Sequence, residues 1–138
     1  MTCRHLQRVL GLLLILSVGT GCGANADRKP TGQVEGKVVC QNQDLKTGTV
    51  MFFPVDGGKH AVGMIGQDGN YSLSTYETGD GAILGKHKVV VLVSYENPDG
   101  STVPDDVPRV PDKYLSKETT PLVVDVNGER NSILLDLE

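Results

Sequence analysis

Hydrophobic side chains occur along the chain in short runs, and glycine, proline, asparagine and aspartate separate these runs. Short runs rich in valine and other β-branched residues are typical of β-strands. Beyond the first 21 residues, no stretch has the repeated spacing of three and four positions that an amphipathic helix requires. The pattern predicts an all-β domain with seven strands, near residues 33–41, 48–54, 60–66, 70–75, 86–95, 121–126 and 131–137.

The alternation within these runs predicts which faces are buried. Alternate residues from Val34 to Cys40 share one face of the first strand, and Val50 and Phe52 share one face of the second. Segment 88–93 is apolar on both faces, so we expect a central strand that is buried from two sides.

Turn residues predict how the strands connect. Residues 67–70 (QDGN) indicate a tight turn that makes a hairpin of the third and fourth strands. Asn127 and Gly128 predict the same connection between the last two strands, so the last strand is expected to close the sheet. Residues 96–113 contain four prolines and are predicted to be a long surface loop, a kind of segment that often carries function.

The first 22 residues have the organisation of a cleaved signal peptide. Arg4 and Arg8 precede a largely apolar run of ten residues, and small residues follow at positions 19–21. Ten helical residues extend about 15 Å, against a hydrocarbon core of about 30 Å, so this run is too short for a stable membrane span. We therefore interpret residues 1–21 as a signal peptide.

Cys22 follows the small residues directly, and this segment resembles the lipobox of bacterial lipoproteins. The resemblance implies that the Cys22 thiol receives diacylglycerol and that, after cleavage, Cys22 becomes the acylated N-terminus. Two or three acyl chains hold a protein persistently on a membrane. Gly19 stands where the family carries leucine or another aliphatic residue, so the alternative is an ordinary secretory peptide cut near Ala24 or Ala26. Residues 22–32 are small and polar, which predicts a flexible tether.

Composition narrows the class of partner. The chain has 13 basic and 17 acidic residues, and the predicted leader contains two of the basic residues, so the mature net charge is −6. This charge disfavours nucleic acid as a partner. Cys3 leaves with the leader and Cys22 is the proposed lipid site, so Cys40 has no partner for an intramolecular disulfide. We expect Cys40 to be a small buried core residue.

Several segments taken together resemble bacterial lipoproteins with a carboxypeptidase regulatory-like, or transthyretin-like, domain. The resemblance covers residues 33–138. It implies a seven-stranded antiparallel β-sandwich of prealbumin type, similar to immunoglobulin-like folds. Most members of this group have no established activity. The segments that carry it are GKV at 36–38, LKTG at 45–48, VMFFP at 50–54, QDGNYSL at 67–73, TGDGA at 78–82, GKHKVVV at 85–91, PDKY at 111–114 and TPL at 120–122.

No catalytic set stands out. His60 is predicted at a loop edge and His87 at the start of a strand, both near solvent and neither spaced for a metal. One transthyretin-like relative is a purine-pathway hydrolase with a Tyr-Arg-Gly-Ser tail, and this chain ends instead in LLDLE. The hydrolase activity of that relative is therefore not expected for this chain.

The sequence offers little for two other kinds of binding site. Asp-Gly pairs near Asp68, Asp80 and Asp99, and the acidic pair at 105–106, lack the alternating loop of a strong calcium site, and turn formation explains such pairs without a metal. A glycan platform would need exposed aromatic rings. The chain has no tryptophan, Tyr71 is predicted to point inward, and the tyrosines expected beside loops are Tyr76, Tyr95 and Tyr114.

These observations favour a non-enzymatic, lipid-anchored envelope protein without a cofactor or metal, in a binding, structural or accessory role. A protein or glycan partner is expected at loop 96–113 or at an edge strand. Aspartate directly after the lipidated cysteine favours retention in the inner membrane. This chain has Gly23 at that position, which mildly favours the outer membrane. The alternatives are a glycan or small-ligand binder and a hydrolase with an unrecognised site.

Overall fold

The computed structural model describes residues 27–96, 99–102 and 105–138. Over these residues the chain is all-β, as predicted, and none of them forms a helix long and apolar enough to cross a membrane. Each predicted strand overlaps an observed one, and three two-residue strands are additional. The strands are β1 (Thr31–Gly32), β2 (Val34–Cys40), β3 (Gln43–Asp44), β4 (Thr49–Pro54), β5 (Ala61–Met64), β6 (Asn70–Ser72), β7 (Ala82–Ile83), β8 (Gly85–Leu92), β9 (Val123–Val126) and β10 (Asn131–Leu137), and a 3-10 helix spans Asp112–Tyr114.

One four-stranded sheet, the β2 sheet, is built around β2. β6 and β3 pair with β2 on one side, both antiparallel, and β10 pairs with it on the other side. The β10 pairing is parallel and runs from Asn131 opposite Val34 to Leu137 opposite Cys40. The prediction of a purely antiparallel fold is therefore wrong at this pair.

The second four-stranded sheet, the β8 sheet, is antiparallel in the order β5-β4-β8-β9. The interior position of β8 confirms the central strand predicted from its apolar run. The hairpin predicted for the last two strands is wrong, because β9 pairs with β8 while β10 pairs with β2. The Asn-Gly turn carries the chain from one sheet to the other.

The turn predicted at 67–70 is present. Gly69 has a φ of 78°, and the Gly66 N–H donates to the Asn70 carbonyl over 2.9 Å. The strands on either side belong to different sheets, however, and meet through the bridge between Val62 and Ser74. The hairpin prediction is right about the turn and wrong about the pairing.

Both sheets contribute side chains to one core, and the predicted inward faces of β2 and β4 are confirmed. Tyr71 lies in this core and its hydroxyl donates to the Ile133 carbonyl over 3.0 Å. Gly36 leaves room for this crossing, because a Cβ there would lie 1.8 Å from that carbonyl oxygen. The fully buried side chains include Val38, Cys40, Leu45, Val50, Phe52, Leu73, Val89, Val91, Leu135 and Leu137.

Structure begins before the predicted domain boundary at residue 33. Within the segment interpreted as a tether, Thr31–Gly32 pair with Ala82–Ile83 as a two-stranded sheet. The predicted signal peptide and Cys22 lie outside the described residues.

Candidate functional site

The N-terminal segment is attached at one end of the domain, the proximal end, which carries β1, β7 and the loops 55–60 and 73–81. Arg28 forms a 2.7 Å ion pair with Glu77, and the Lys29 backbone N–H donates to the Tyr76 hydroxyl over 3.1 Å. The Lys29 ammonium donates to the Gly57 carbonyl over 2.7 Å. These contacts fix where the chain from residue 27 joins the domain.

Asp80 organises the proximal loop 73–81. Its carboxylate accepts the backbone N–H groups of Thr75 (2.7 Å), Tyr76 (2.9 Å) and Glu77 (3.0 Å). Partial burial by itself raises the pKa of Asp80, but these three bonds, with a contribution from Arg28, outweigh burial and lower the pKa overall. The acidic side chain is thus explained by loop closure, and no calcium ion is needed.

Two other aspartates have similar local roles. Asp68 accepts the Asn70 N–H over 3.1 Å, and Asp99 accepts the Ser101 N–H over 2.9 Å. The bond from the Asn70 backbone is the main cause that lowers the pKa of Asp68, and the bond from the Ser101 hydroxyl is the main cause for Asp99. Within the described residues, no group of three histidine, cysteine, aspartate or glutamate side chains is placed to hold a metal ion.

The opposite end, the distal end, carries the ends of β2 and β8, the turn at 41–42 and the segment 93–111. Both strands start beside the β1–β7 pair, so both run away from the proximal end. Where β2 ends, the Cys40 thiol lies 3.7 Å from the Arg109 carbonyl. Beyond β8, the Tyr95 hydroxyl accepts the Val110 N–H over 2.8 Å and donates to the Pro108 carbonyl over 3.2 Å.

These contacts correct the prediction of a plain surface loop at 96–113. Val110 is 6% exposed and belongs to the core cluster, and Val107 packs against that cluster. Tyr114 is 3% exposed and its hydroxyl bridges the backbone of Glu138. The C-terminal part of the segment is therefore fixed to the domain, while residues 99–102 and 105–106 are exposed.

A groove of about 690 Å³ lies at the distal end, and we call it the distal groove. The Arg109 guanidinium lies over the Tyr95 ring, 5.1 Å from its centroid, and Lys46 lies 3.9 Å from Asp106. The turn at one wall has positive φ at two non-glycine residues, 52° at Gln41 and 63° at Asn42. The lining residues are Gln41, Gln43, Tyr95, Thr102, Asp105, Asp106, Val107, Pro108 and Arg109.

The histidines occupy different environments from each other. His60 is half-buried and its ring stacks on Phe53 with centroids 5.1 Å apart. The prediction that His87 lies near solvent is wrong: it is 0% exposed and its ring lies 5.9 Å from that of Phe52. His87 shares the inward face with Val89 and Val91, and this alternation could have identified it as buried.

The contacts of the His87 ring are incomplete. Nδ1 lies 2.9 Å from the Gly85 carbonyl, and Nε2 has no hydrogen-bond partner among the described residues. Burial lowers the pKa of His87, although the Gly85 bond and Asp125 act in the opposite direction. The buried imidazole thus packs against the Phe52 ring as part of the core.

The remaining predicted candidates are also located. Tyr71 points inward as predicted, and Tyr114 is buried rather than exposed. Tyr76 and Tyr95 are half-buried, and the Tyr76 ring faces Arg28 at 5.2 Å and Lys59 at 5.6 Å. Cys40 is buried as predicted, and burial is the main cause that raises its pKa.

The described residues define an all-β domain with one shared core and two structurally distinct ends. No family model matches the chain, and no curated protein matches it. The crystal structure of a DUF3823 family protein from Parabacteroides merdae ATCC 43184 is similar at a TM-score of 0.43 and 14% identity, over 80% of this chain and 47% of that chain. The chain thus spans about half the length of that protein.

Proposed function

We propose that the protein is a non-enzymatic, lipid-anchored protein of the cell envelope whose domain, a β-sandwich of prealbumin type, presents the distal groove to a partner. The observation that carries this proposal is the placement of the N-terminal attachment and the groove at opposite ends of the strands.

Strand length sets the separation between the two ends. β2 has seven residues, which at about 3.3 Å each give roughly 23 Å. A chain from Cys22 to Arg28 spans at most about 20 Å when fully extended. An acylated Cys22 would thus keep the proximal end near the bilayer and would let the groove lie up to about a strand length farther out.

The composition of the groove favours a polar partner. Two carboxylates, two carboxamides and the Arg109 guanidinium can bind the peptide groups and charged side chains of a protein segment. The same groups hydrogen-bond sugar hydroxyls, so a glycan is the second candidate. The buried His87 and the stacked His60 support a role without catalysis.

The anchor is tested by metabolic labelling with a fatty-acid probe and by the intact mass of the mature protein. We expect wild type to be labelled and Cys22→Ala to lose the label. Cys3→Ala is the matched control and keeps it, since Cys3 is removed with the leader. Unlabelled wild type that begins at Asn25 or Asp27, as cleavage after Ala24 or Ala26 would give, would replace the lipoprotein by a secreted protein.

The choice of membrane is tested by Gly23→Asp. In a double-membrane host, fractionation should find wild type in the outer membrane and the variant in the inner membrane. Wild type in the inner membrane would contradict the proposed location.

The groove is tested by photo-crosslinking in living cells. A photoreactive side chain at Gln43 should give a discrete adduct that Asp105→Ala and Asp106→Ala together abolish, and the same group at Lys86, near the proximal end, should not. An adduct digested by a glycosidase favours the glycan. Turnover of ester or cyclic-amide substrates that is lost with His60→Ala would contradict the non-enzymatic proposal.

A further inference from the structure

The turn between β9 and β10 contains the one asparagine of the sequence that is followed by glycine, Asn127. Asn127 and Gly128 are both exposed, and a Cβ built at Gly128 meets open space. The backbone nitrogen of the next residue can attack an asparagine side chain, and glycine hinders this approach least because it has no side chain. The turn therefore places a nucleophile, the Gly128 nitrogen, beside an electrophile, the side-chain carbonyl carbon of Asn127, in contact with solvent.

The hydrogen bonds of this turn favour the attack. The Glu129 backbone N–H donates to Asn127 Oδ1 over 2.9 Å. When a nucleophile adds to Cγ, negative charge develops on Oδ1, and a fixed N–H aimed at that oxygen stabilises the charge. The Asn127 backbone is fixed as well, since its N–H donates to Asn131 Oδ1 and its carbonyl accepts Asn131 Nδ2, each over 3.1 Å. Nucleophile, electrophile and donor thus lie in one ordered segment, which reduces the entropy that ring closure must lose.

We propose that Asn127 and Gly128 form a self-modification site in the folded protein. The Gly128 nitrogen loses its proton to water or hydroxide and forms a bond with Asn127 Cγ. The bond from Cγ to Nδ2 then breaks, and this nitrogen takes up a proton and leaves as ammonia. Water opens the resulting succinimide at either carbonyl, which gives aspartate or isoaspartate at position 127. Water is the only co-reactant, and the proposal depends on neither the lipid anchor nor the distal groove.

The products change the junction between the two sheets. Isoaspartate adds a methylene to the backbone at position 127, and both products add a carboxylate beside Glu129. The longer backbone moves the peptide groups of residue 127 away from the buried Asn131 side chain, which bonds to them in the unmodified protein. Because a buried polar group that loses its partners destabilises the fold, the isoaspartate form should unfold at a lower urea concentration. Its additional negative charge separates it from the unmodified protein by ion exchange.

Hydroxylamine tests the site directly, because it reacts with a succinimide and cuts the chain there. The folded protein is incubated in mildly alkaline buffer, and we expect one cut, which releases residues 128–138. Gly128→Ala is the matched control, since its Cβ meets open space and the fold is kept. The alanine methyl hinders the attack, so this variant should react about tenfold more slowly, equivalent to about 1.4 kcal/mol in the barrier. Peptide mapping by mass spectrometry, without hydroxylamine, should find aspartate and isoaspartate at position 127 of wild type.

A second variant tests the contribution of the folded turn. Glu129→Pro removes the N–H that donates to Asn127 Oδ1. It should slow the reaction several-fold in the folded protein and much less in urea, where the turn is not held in either protein. The Gly128→Ala comparison stands whether or not Glu129→Pro folds. The proposal is overturned if hydroxylamine cuts only the urea-unfolded chain, if Gly128→Ala reacts as fast as wild type, or if the isoaspartate form is as stable as the unmodified protein. An equal effect of Glu129→Pro in both conditions would refute the role of the Glu129 N–H.

Discussion

Asn131, at the start of β10, holds the connection between the two sheets, and its replacement by alanine is the sharpest test of the fold. The side chain is 7% exposed. Its Nδ2 donates to the carbonyls of Gln33 (2.9 Å), Asn127 (3.1 Å) and Glu129 (2.9 Å), and its Oδ1 accepts the Asn127 N–H over 3.1 Å. Asn131→Ala removes all four contacts.

The expected cost follows from which groups lose their partners. The carboxamide has two N–H groups for the three carbonyls and accepts one bond at Oδ1, so the contacts amount to three full hydrogen bonds. At about 0.5–1.5 kcal/mol net for each bond, the upper limit is about 4.5 kcal/mol. In the variant, the Gln33 carbonyl still accepts the backbone N–H of residue 131. The turn at Asn127 and Glu129 is exposed, so water can replace the bonds that are lost there. We therefore expect Asn131→Ala to lower the free energy of unfolding by about 2 kcal/mol.

Asn131→Asp separates hydrogen bonding from side-chain volume. A carboxylate has the same shape but cannot donate, and it would face three carbonyl oxygens, so we expect a larger cost, about 3 kcal/mol, at neutral pH. Urea unfolding should show lower midpoints with unchanged slopes. Asn70→Ala is the control because its side chain is exposed and, among the described residues, bonds only to Asp68. The reasoning fails if Asn131→Ala costs no more than Asn70→Ala, or if Asn131→Asp is the milder change.

Three further outcomes are expected. Burial lowers the pKa of His87 in the folded state, so the unfolded chain binds more protons than the folded chain below about pH 6.5. Wild type should therefore lose stability as the pH falls below this value. His87→Gln should remove this part of the pH dependence of the free energy of unfolding, measured by urea unfolding. Gly36→Ala should lower the free energy of unfolding by more than about 3 kcal/mol in the same assay, or prevent folding, because its Cβ would lie 1.8 Å from the Ile133 carbonyl oxygen. Gly128→Ala is the control: a Cβ there meets open space, so this variant should be close to neutral. Asp80→Ala should cost about 2 kcal/mol and increase proteolysis within loop 73–81, and unchanged cleavage there would contradict the role of Asp80 in closing the loop.

Local pattern predicts the strands and their faces well because both depend on side chains a few positions apart. The alternation in β2 and β4 identifies the inward residues, and the apolar run in β8 identifies a central strand. Strand partners are different. An Asn-Gly turn favours a hairpin locally, yet β9 and β10 separate, because each buries its apolar face against a sheet built from distant segments.

The same limit applies to the candidate site. Cys40 and Arg109 are 69 positions apart in the chain, and no local signal near either residue indicates that they meet. The wrong prediction for His87 has another cause: histidine is polar and usually lies near solvent, but its place in the alternation of β8 puts it on the inward face. Its pairing in the sheet overrides side-chain preference, since an inward residue of a central strand has no route to solvent.

The parallel pairing of β2 with β10 has a consequence for the order in which the chain folds. The first long strand completes its pairing only with the last one, and Asn131 and Gln33 are 98 residues apart. Closing so long a loop is entropically costly, and folds dominated by such distant contacts form slowly. A nascent chain that lacks its last residues therefore leaves β2 half-paired. The β2 sheet can therefore be completed only after residues 131–137 have been synthesised.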